Sequence, residues 1–117
     1  MRRLRHLLPL ACLLLIVATA CGSRQVDPLE SGLRSNLHAI RQLIEQYHGD
    51  HGRYPPTLIA LVEAGYIRLV PFDPMTRRND TWVETRQAGE GIASPGIVDV
   101  HSSASGTASD GTPYADW

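Results

Sequence analysis

Three features of the sequence predict an α+β fold. One long amphipathic helical pattern begins near Pro28, a short helical pattern follows at Leu58 to Ala64, and two alternating β-branched or aromatic segments lie near the carboxyl end. At 100° per residue, Leu29, Leu33, Leu37, Ile40, Leu43, Ile44 and Tyr47 fall on one face of the first helix. Asp27-Pro28 starts it, with aspartate as N-cap and proline in the first turn, where a missing N–H costs nothing. Gly32 weakens that turn and Asn36 interrupts the apolar stripe, so fraying is expected there, with Ser31 as a later cap. Glu30/Arg34 and Arg41/Glu45 read as exposed i,i+4 pairs. Gly49 and Gly52 mark the helix end.

Tyr54-Pro55-Pro56 forces extended backbone, since the residue before a proline is pushed out of the helical region. Thr57 then caps the second helix and Gly65 closes it. Val70-Pro71-Phe72-Asp73-Pro74 is a rigid connector. Thr81 to Thr85 and Ile97 to His101 are the two strands, joined by a Gly-containing loop. After His101 the chain is rich in Ser, Ala, Gly and Thr, and such a segment buries little by itself. Something outside it has to hold it down.

The amino terminus reads as an address. Arg2, Arg3 and Arg5 precede an apolar run from Leu7 to Ala20, which ends in Ala18-Thr19-Ala20-Cys21-Gly22. A positive start, a short apolar run and small residues at the cut describe a secretory signal over residues 1–20. The run of fourteen residues would span about 21 Å as a helix, short of the roughly 30 Å hydrocarbon core. Cys21 directly after the small residues resembles the bacterial lipobox, which implies a diacylglycerol thioether and an amide-linked acyl chain on Cys21. With Cys12 removed, Cys21 is the odd cysteine of an exported chain, and acylation accounts for it. In lipoproteins with this pattern, a residue other than aspartate after the cysteine implies the outer membrane, and Gly22 fits. Residues 21–26 then form a lipidated tether and 27–117 one globular domain.

Composition narrows the function. The chain has 117 residues and a formal charge of −1, with no lysine. Removing the signal leaves a charge of about −4, which excludes nucleic-acid binding by a clustered basic surface. The size excludes a multidomain enzyme. Serines 102, 103, 105 and 109 neighbour His101 but lack the strand-turn-helix setting of a serine nucleophile, and there is no phosphate loop, so no enzyme is expected. His48 and His51 flank Asp50 without a third metal ligand nearby in sequence, and exposed histidines at a helix end are the simpler reading. Arg77-Arg78-Asn79-Asp80 reads as a charged turn. Tyr47, Tyr54, Trp82 and Trp117 read as core anchors.

The segment Tyr47-His48-Gly49-Asp50-His51-Gly52-Arg53-Tyr54-Pro55 is similar to the Tyr-x-x-Asp-x-Gly-x-Tyr-Pro pattern of the G-type major pseudopilins of type II secretion systems. Leu61 through Gly65-Tyr66-Ile67, Pro71-x-Asp73-Pro74, Val98-Asp99-Val100-His101-Ser102 and the Asp110-Gly111 to Asp116-Trp117 ending follow in that family's order. The resemblance covers about residues 33 to 117 and implies a pilin-like soluble domain: an amphipathic first helix and a short second helix packed on a small antiparallel sheet, with an irregular carboxyl-terminal loop. It also implies calcium in that loop, with Asp99, Asp110 and Asp116 as candidate ligands. The departure is at the front, where pseudopilins carry a prepilin peptidase site and a long hydrophobic helix, and this chain has a lipobox. The expected role is a lipid-anchored accessory or structural protein of a type II secretion or type IV pilus apparatus. The alternative is a periplasmic envelope lipoprotein that uses the same fold to bind a ligand or protein.

Overall fold

The computed structural model describes residues 27–117. It is α+β: a long helix α1 (Pro28–His51), a short helix α2 (Leu58–Glu63), an antiparallel pair of strands β1 (Val83–Arg86) and β2 (Ile97–His101), and a terminal 3₁₀ turn over Tyr114–Asp116. The signal-peptide and lipidation expectations for residues 1–26, Cys21 included, lie outside the described residues.

α1 starts where Asp27 predicts, because its carboxylate accepts from the Leu29 N–H at 2.9 Å, and no later cap at Ser31 is needed. Leu33, Leu37, Ile40, Ile44 and Tyr47 are buried against Leu58, Leu61, Val70, Trp82, Ile97 and Val100. Burial of each such side chain contributes about 1.5–3 kcal/mol. Leu29 departs from the stripe and is exposed, and the buried residue of the first turn is Glu30. The helix also runs through Gly49 to His51; the residue that ends it is Gly52, at φ 71°, whose N–H reaches back to His48 O.

Thr57 caps α2 through its hydroxyl, which accepts from Ala60 N–H at 3.1 Å, and Ala64 closes the helix one residue earlier than expected. The elbow between the helices presses on the sheet. Ile97 N–H donates to Pro55 O at 2.8 Å, and an ideal Cβ on Gly96 would lie 2.6 Å from both Cβ and O of Tyr54. Only glycine fits there without displacement.

The connector is pinned from three sides. Asn36, the polar interruption of the stripe, donates from Nδ2 to Phe72 O at 2.7 Å; Trp82 Nε1 donates to Pro71 O at 2.8 Å; and Ser102 Oγ donates to Asp73 Oδ2 at 2.5 Å. Asp73 also closes a turn with Arg77 and Arg78, through Asp73 N to Arg78 O and Arg77 N to Asp73 O. Arg77 adopts φ 61° in that turn. Arg78 forms two 2.7 Å bonds to Asp80, which makes the predicted charged turn self-paired.

β1 begins at Val83 and ends at Arg86, two residues later than the Thr81 start predicted, while β2 falls where it was expected. The register pairs Val83 with His101, Glu84 with Val100, Thr85 with Asp99 and Arg86 with Ile97. Val98 is therefore an extra residue on β2, a bulge that leaves β1 regular.

Candidate functional site

The carboxyl-terminal loop lies along α1, and the helix side chains that the sequence presents as exposed pairs are those that hold it. The loop orders itself first. Tyr114 N–H donates to Gly106 O at 3.1 Å and Ala108 N–H to Thr112 O at 2.7 Å, with Gly111 at φ 89° turning the chain between them. Asp110 Oδ1 accepts from Thr112 N–H at 3.0 Å and from Thr112 Oγ1 at 2.6 Å, an Asx turn. These two bonds hold the Asp110 carboxyl below the usual aspartate range.

Glu30 then fastens the loop to the first turn of α1. Its Oε1 accepts from Ser109 N–H at 2.7 Å and from the Tyr114 hydroxyl at 3.0 Å, and its Oε2 accepts from Ser109 Oγ at 2.7 Å. A buried carboxylate needs such donors to remain ionised, and here the Ser109 side chain and N–H hold its carboxyl below the usual glutamate range against the opposing effect of burial. Burial, and secondarily the Glu30 carboxylate, push the Tyr114 phenol up.

One turn along, the Arg34 guanidinium sits 3.7 Å from the centroid of the Trp117 ring and 3.5 Å from Asp110 Oδ2. Trp117 Nε1 donates to Thr112 Oγ1 at 2.8 Å, and its ring meets Tyr114 edge-on at 5.3 Å. Two turns further, Arg41 joins three parts of the chain. Its Nε donates to Asp99 Oδ1 at 2.7 Å, and its Nη2 donates to Val100 O at 2.9 Å and to Trp117 O at 2.5 Å. His101 Nδ1 also lies 2.9 Å from Trp117 O, and its Nε2 lies 3.4 Å from Asp99 Oδ2. Between helix and loop runs an open groove of about 430 Å³, with Arg34, His38 and Arg41 on one wall and Asp110, Asp116 and Trp117 on the other.

The three aspartates singled out for calcium are distributed as follows. Asp99 is on β2, engaged by Arg41 and by Val100 N–H at 2.8 Å; Asp110 is in the Asx turn; Asp116 is exposed in the 3₁₀ turn. Asp110 and Asp116 share the groove, and Asp99 contacts Arg41 beyond it. Calcium takes six to eight oxygens, and among the described residues no group of three or more His, Cys, Asp or Glu converges as a metal-ligand set.

His48 and His51 diverge. His48 stacks on Tyr54 with ring centroids 4.0 Å apart, and His51 stacks on Tyr47 at the same distance. The Tyr66 hydroxyl donates to Asp50 Oδ2 at 2.5 Å, which pushes the Tyr66 phenol up to about 12. Sequence reasoning missed Glu30, Arg34 and Arg41, whose partners lie 58 to 84 positions away. The one signal available was the hydroxyl-rich tail itself, whose serine and tyrosine donors need acceptors.

Among the described residues, no helix is long and apolar enough to cross a membrane. No protein-family model, no curated protein and no solved structure matches this chain.

Proposed function

We propose that this chain is a lipid-anchored, pilin-like structural or accessory protein of a type II secretion or type IV pilus apparatus. It is carried on the periplasmic side of the bacterial outer membrane and is not itself catalytic. The observation that carries the reading is an order along the chain. A lipobox-type Cys21 stands six positions ahead of Asp27, the N-cap of a long helix whose apolar face is packed on a carboxyl-terminal sheet. Three acyl chains there, two on the diacylglycerol and one amide-linked, would anchor the body, because each buried CH₂ contributes about 0.8 kcal/mol.

Calcium belongs to the same reading. An ion at Asp99, Asp110 and Asp116 would have to draw Asp99 away from Arg41, and a rise in Tm at millimolar calcium is the measurement that supports it.

The experiment on the main reading is metabolic labelling with palmitate, followed by crosslinking in intact cells. Cys21→Ser is expected to abolish labelling, and the wild-type chain is expected to co-purify with secretion or pilus components. Labelling that persists in Cys21→Ser removes the anchor from the account. The open groove beside Arg34 and Trp117 favours the second reading, an envelope lipoprotein that binds a ligand or another protein. Co-purification with a different envelope component, and with no part of such an apparatus, selects it.

A further inference from the structure

The two edges of the sheet are not equivalent. On the far side of β2, Ile97 N–H is taken by Pro55 O, Val100 N–H by Asp99 Oδ1 and Val100 O by Arg41 Nη2. That edge is closed. Just past the end of β1, Gln87 N–H donates to Gly96 O at 2.9 Å, so main-chain groups of the same parity, those of Val83 and Thr85, face β2. The N–H and C=O of Glu84 and Arg86 consequently face outward, and among the described residues no hydrogen-bond partner lies on that side. β1 is exposed along its whole length, and the extra residue of the bulge belongs to β2, so no residue of β1 is displaced from its own edge.

We propose that two copies of this chain associate edge to edge through β1, giving a four-stranded antiparallel sheet across a two-fold axis at Thr85. The register follows from charge. Outward main-chain groups can only meet outward groups, which leaves three symmetric arrangements: Glu84 opposite Glu84 of the second copy, Arg86 opposite Arg86, or Glu84 opposite Arg86 twice. The first two place like charges directly opposite, which is destabilising. The third pairs opposite charges on one sheet face. Glu84 and Arg86 already share that face, since Arg86 Nη2 lies 2.9 Å from Glu84 Oε2 within one chain. The same charges that repel an arbitrary strand therefore make this edge complementary to itself. Thr85 meets its own copy in the narrow, non-hydrogen-bonded pair, with Cα atoms about 4.5 Å apart, inside the range a disulfide spans. The two Val83 residues lie on the same face but are separated by four strand positions, about 13 Å, beyond that range.

The test uses the mature chain from Cys21 onward in detergent, with Cys21 in place and the unsubstituted chain setting the background. Thr85→Cys is expected to give a disulfide-linked dimer under oxidised glutathione, well above Val83→Cys and above background. By sedimentation equilibrium, Glu84→Arg is expected to weaken self-association on the order of tenfold, and the exchange Glu84→Arg with Arg86→Glu to restore it. Circular dichroism and Tm confirm that each variant is folded. A chain that stays monomeric at sub-millimolar concentration overturns the proposal. So does a Thr85→Cys crosslink no stronger than that of Val83→Cys, or a charge exchange that fails to restore association in a folded protein.

Discussion

Glu30 accepts both hydrogen bonds that Ser109 can give, from its N–H and from its hydroxyl, each at 2.7 Å. A residue of the first helical turn thus closes a loop of 79 positions, and the closure depends on charge. Ser109 holds the Glu30 carboxyl below its ordinary range, so folding favours the ionised form. The resulting stabilisation is present in full above the unfolded value of about 4.3 and is lost as pH falls through the lower native value. Asp110, lowered by Thr112, acts in the same direction. Protease cleavage between residues 103 and 113 is therefore expected to be slow and constant from neutral pH down to about 4.3, and to accelerate below it. Glu30→Ala is expected to be cut rapidly at neutral pH, with a flattened profile. An unchanged cleavage rate in that variant would show that the loop is held elsewhere.

The loop is joined to the connector by a second polar contact. Asp73 and Ser102 have no exposed surface, and the serine hydroxyl is the donor to Asp73 Oδ2. The other carboxylate oxygen accepts from Met75 N–H at 2.8 Å. Ser102→Ala removes the donor and leaves a buried acceptor unpaired, at a cost of about 1–3 kcal/mol. Urea unfolding is expected to show that loss as a lower midpoint with an unchanged slope. Ser103→Ala, at an exposed neighbour, is the control and should stay within about 0.5 kcal/mol of wild type.

These two contacts mark the limit of what the sequence discloses. The core stripe of α1, the caps at Asp27 and Thr57, and β2 follow from local rules, because periodicity and capping involve neighbours within a few positions. β1 starts two residues late for a tertiary reason: Ser102, the natural partner of Trp82 in the ladder, turns aside to Asp73, so pairing begins at Val83 and His101. Gly49 is passed over as a helix end because Gly52, not Gly49, takes the left-handed conformation. The clasp was hidden altogether. Glu30/Arg34 and Arg41/Glu45 match the pattern of solvated i,i+4 pairs, and only the path of the tail redirects them to Ser109, Trp117 and Asp99.

The glycines offer a test of packing with opposite signs. Gly96 is buried against Tyr54, and a methyl group there meets backbone at 2.6 Å, so Gly96→Ala is expected to cost about 1–3 kcal/mol through forced displacement. At Gly49 an added Cβ meets nothing within 4 Å and the residue lies inside α1. Gly49→Ala is expected to stabilise by about 0.5–1 kcal/mol, chiefly by lowering the entropy of the unfolded chain. Gly52, equally uncrowded but at φ 71°, separates conformation from space: alanine there is expected to cost about 1–2 kcal/mol. Denaturant midpoints that do not rank Gly49→Ala above wild type, with Gly52→Ala and Gly96→Ala below, would refute this assignment.

Trp117 gives the clasp an optical signal. Its ring is covered by the Arg34 guanidinium on one side and met by Tyr114 at an edge, whereas Trp82 is buried with its Nε1 bonded to Pro71 O. Both Arg34 and Asp110 are well exposed, so their 3.5 Å ion pair contributes little, and the stacking is the larger part, about 0.5–1 kcal/mol at an exposed site. Arg34→Lys keeps the charge and loses the planar contact, which separates the two contributions. Arg34→Ala and Arg34→Lys are both expected to shift the Trp117 emission to the red and to raise its quenching by iodide, with Trp82 unaffected. If Arg34→Lys instead matched wild type while Arg34→Ala did not, charge attraction to Asp110 would be what holds Trp117 in place, and the pH-dependent release expected of Glu30 would then be accompanied by a strong dependence on salt.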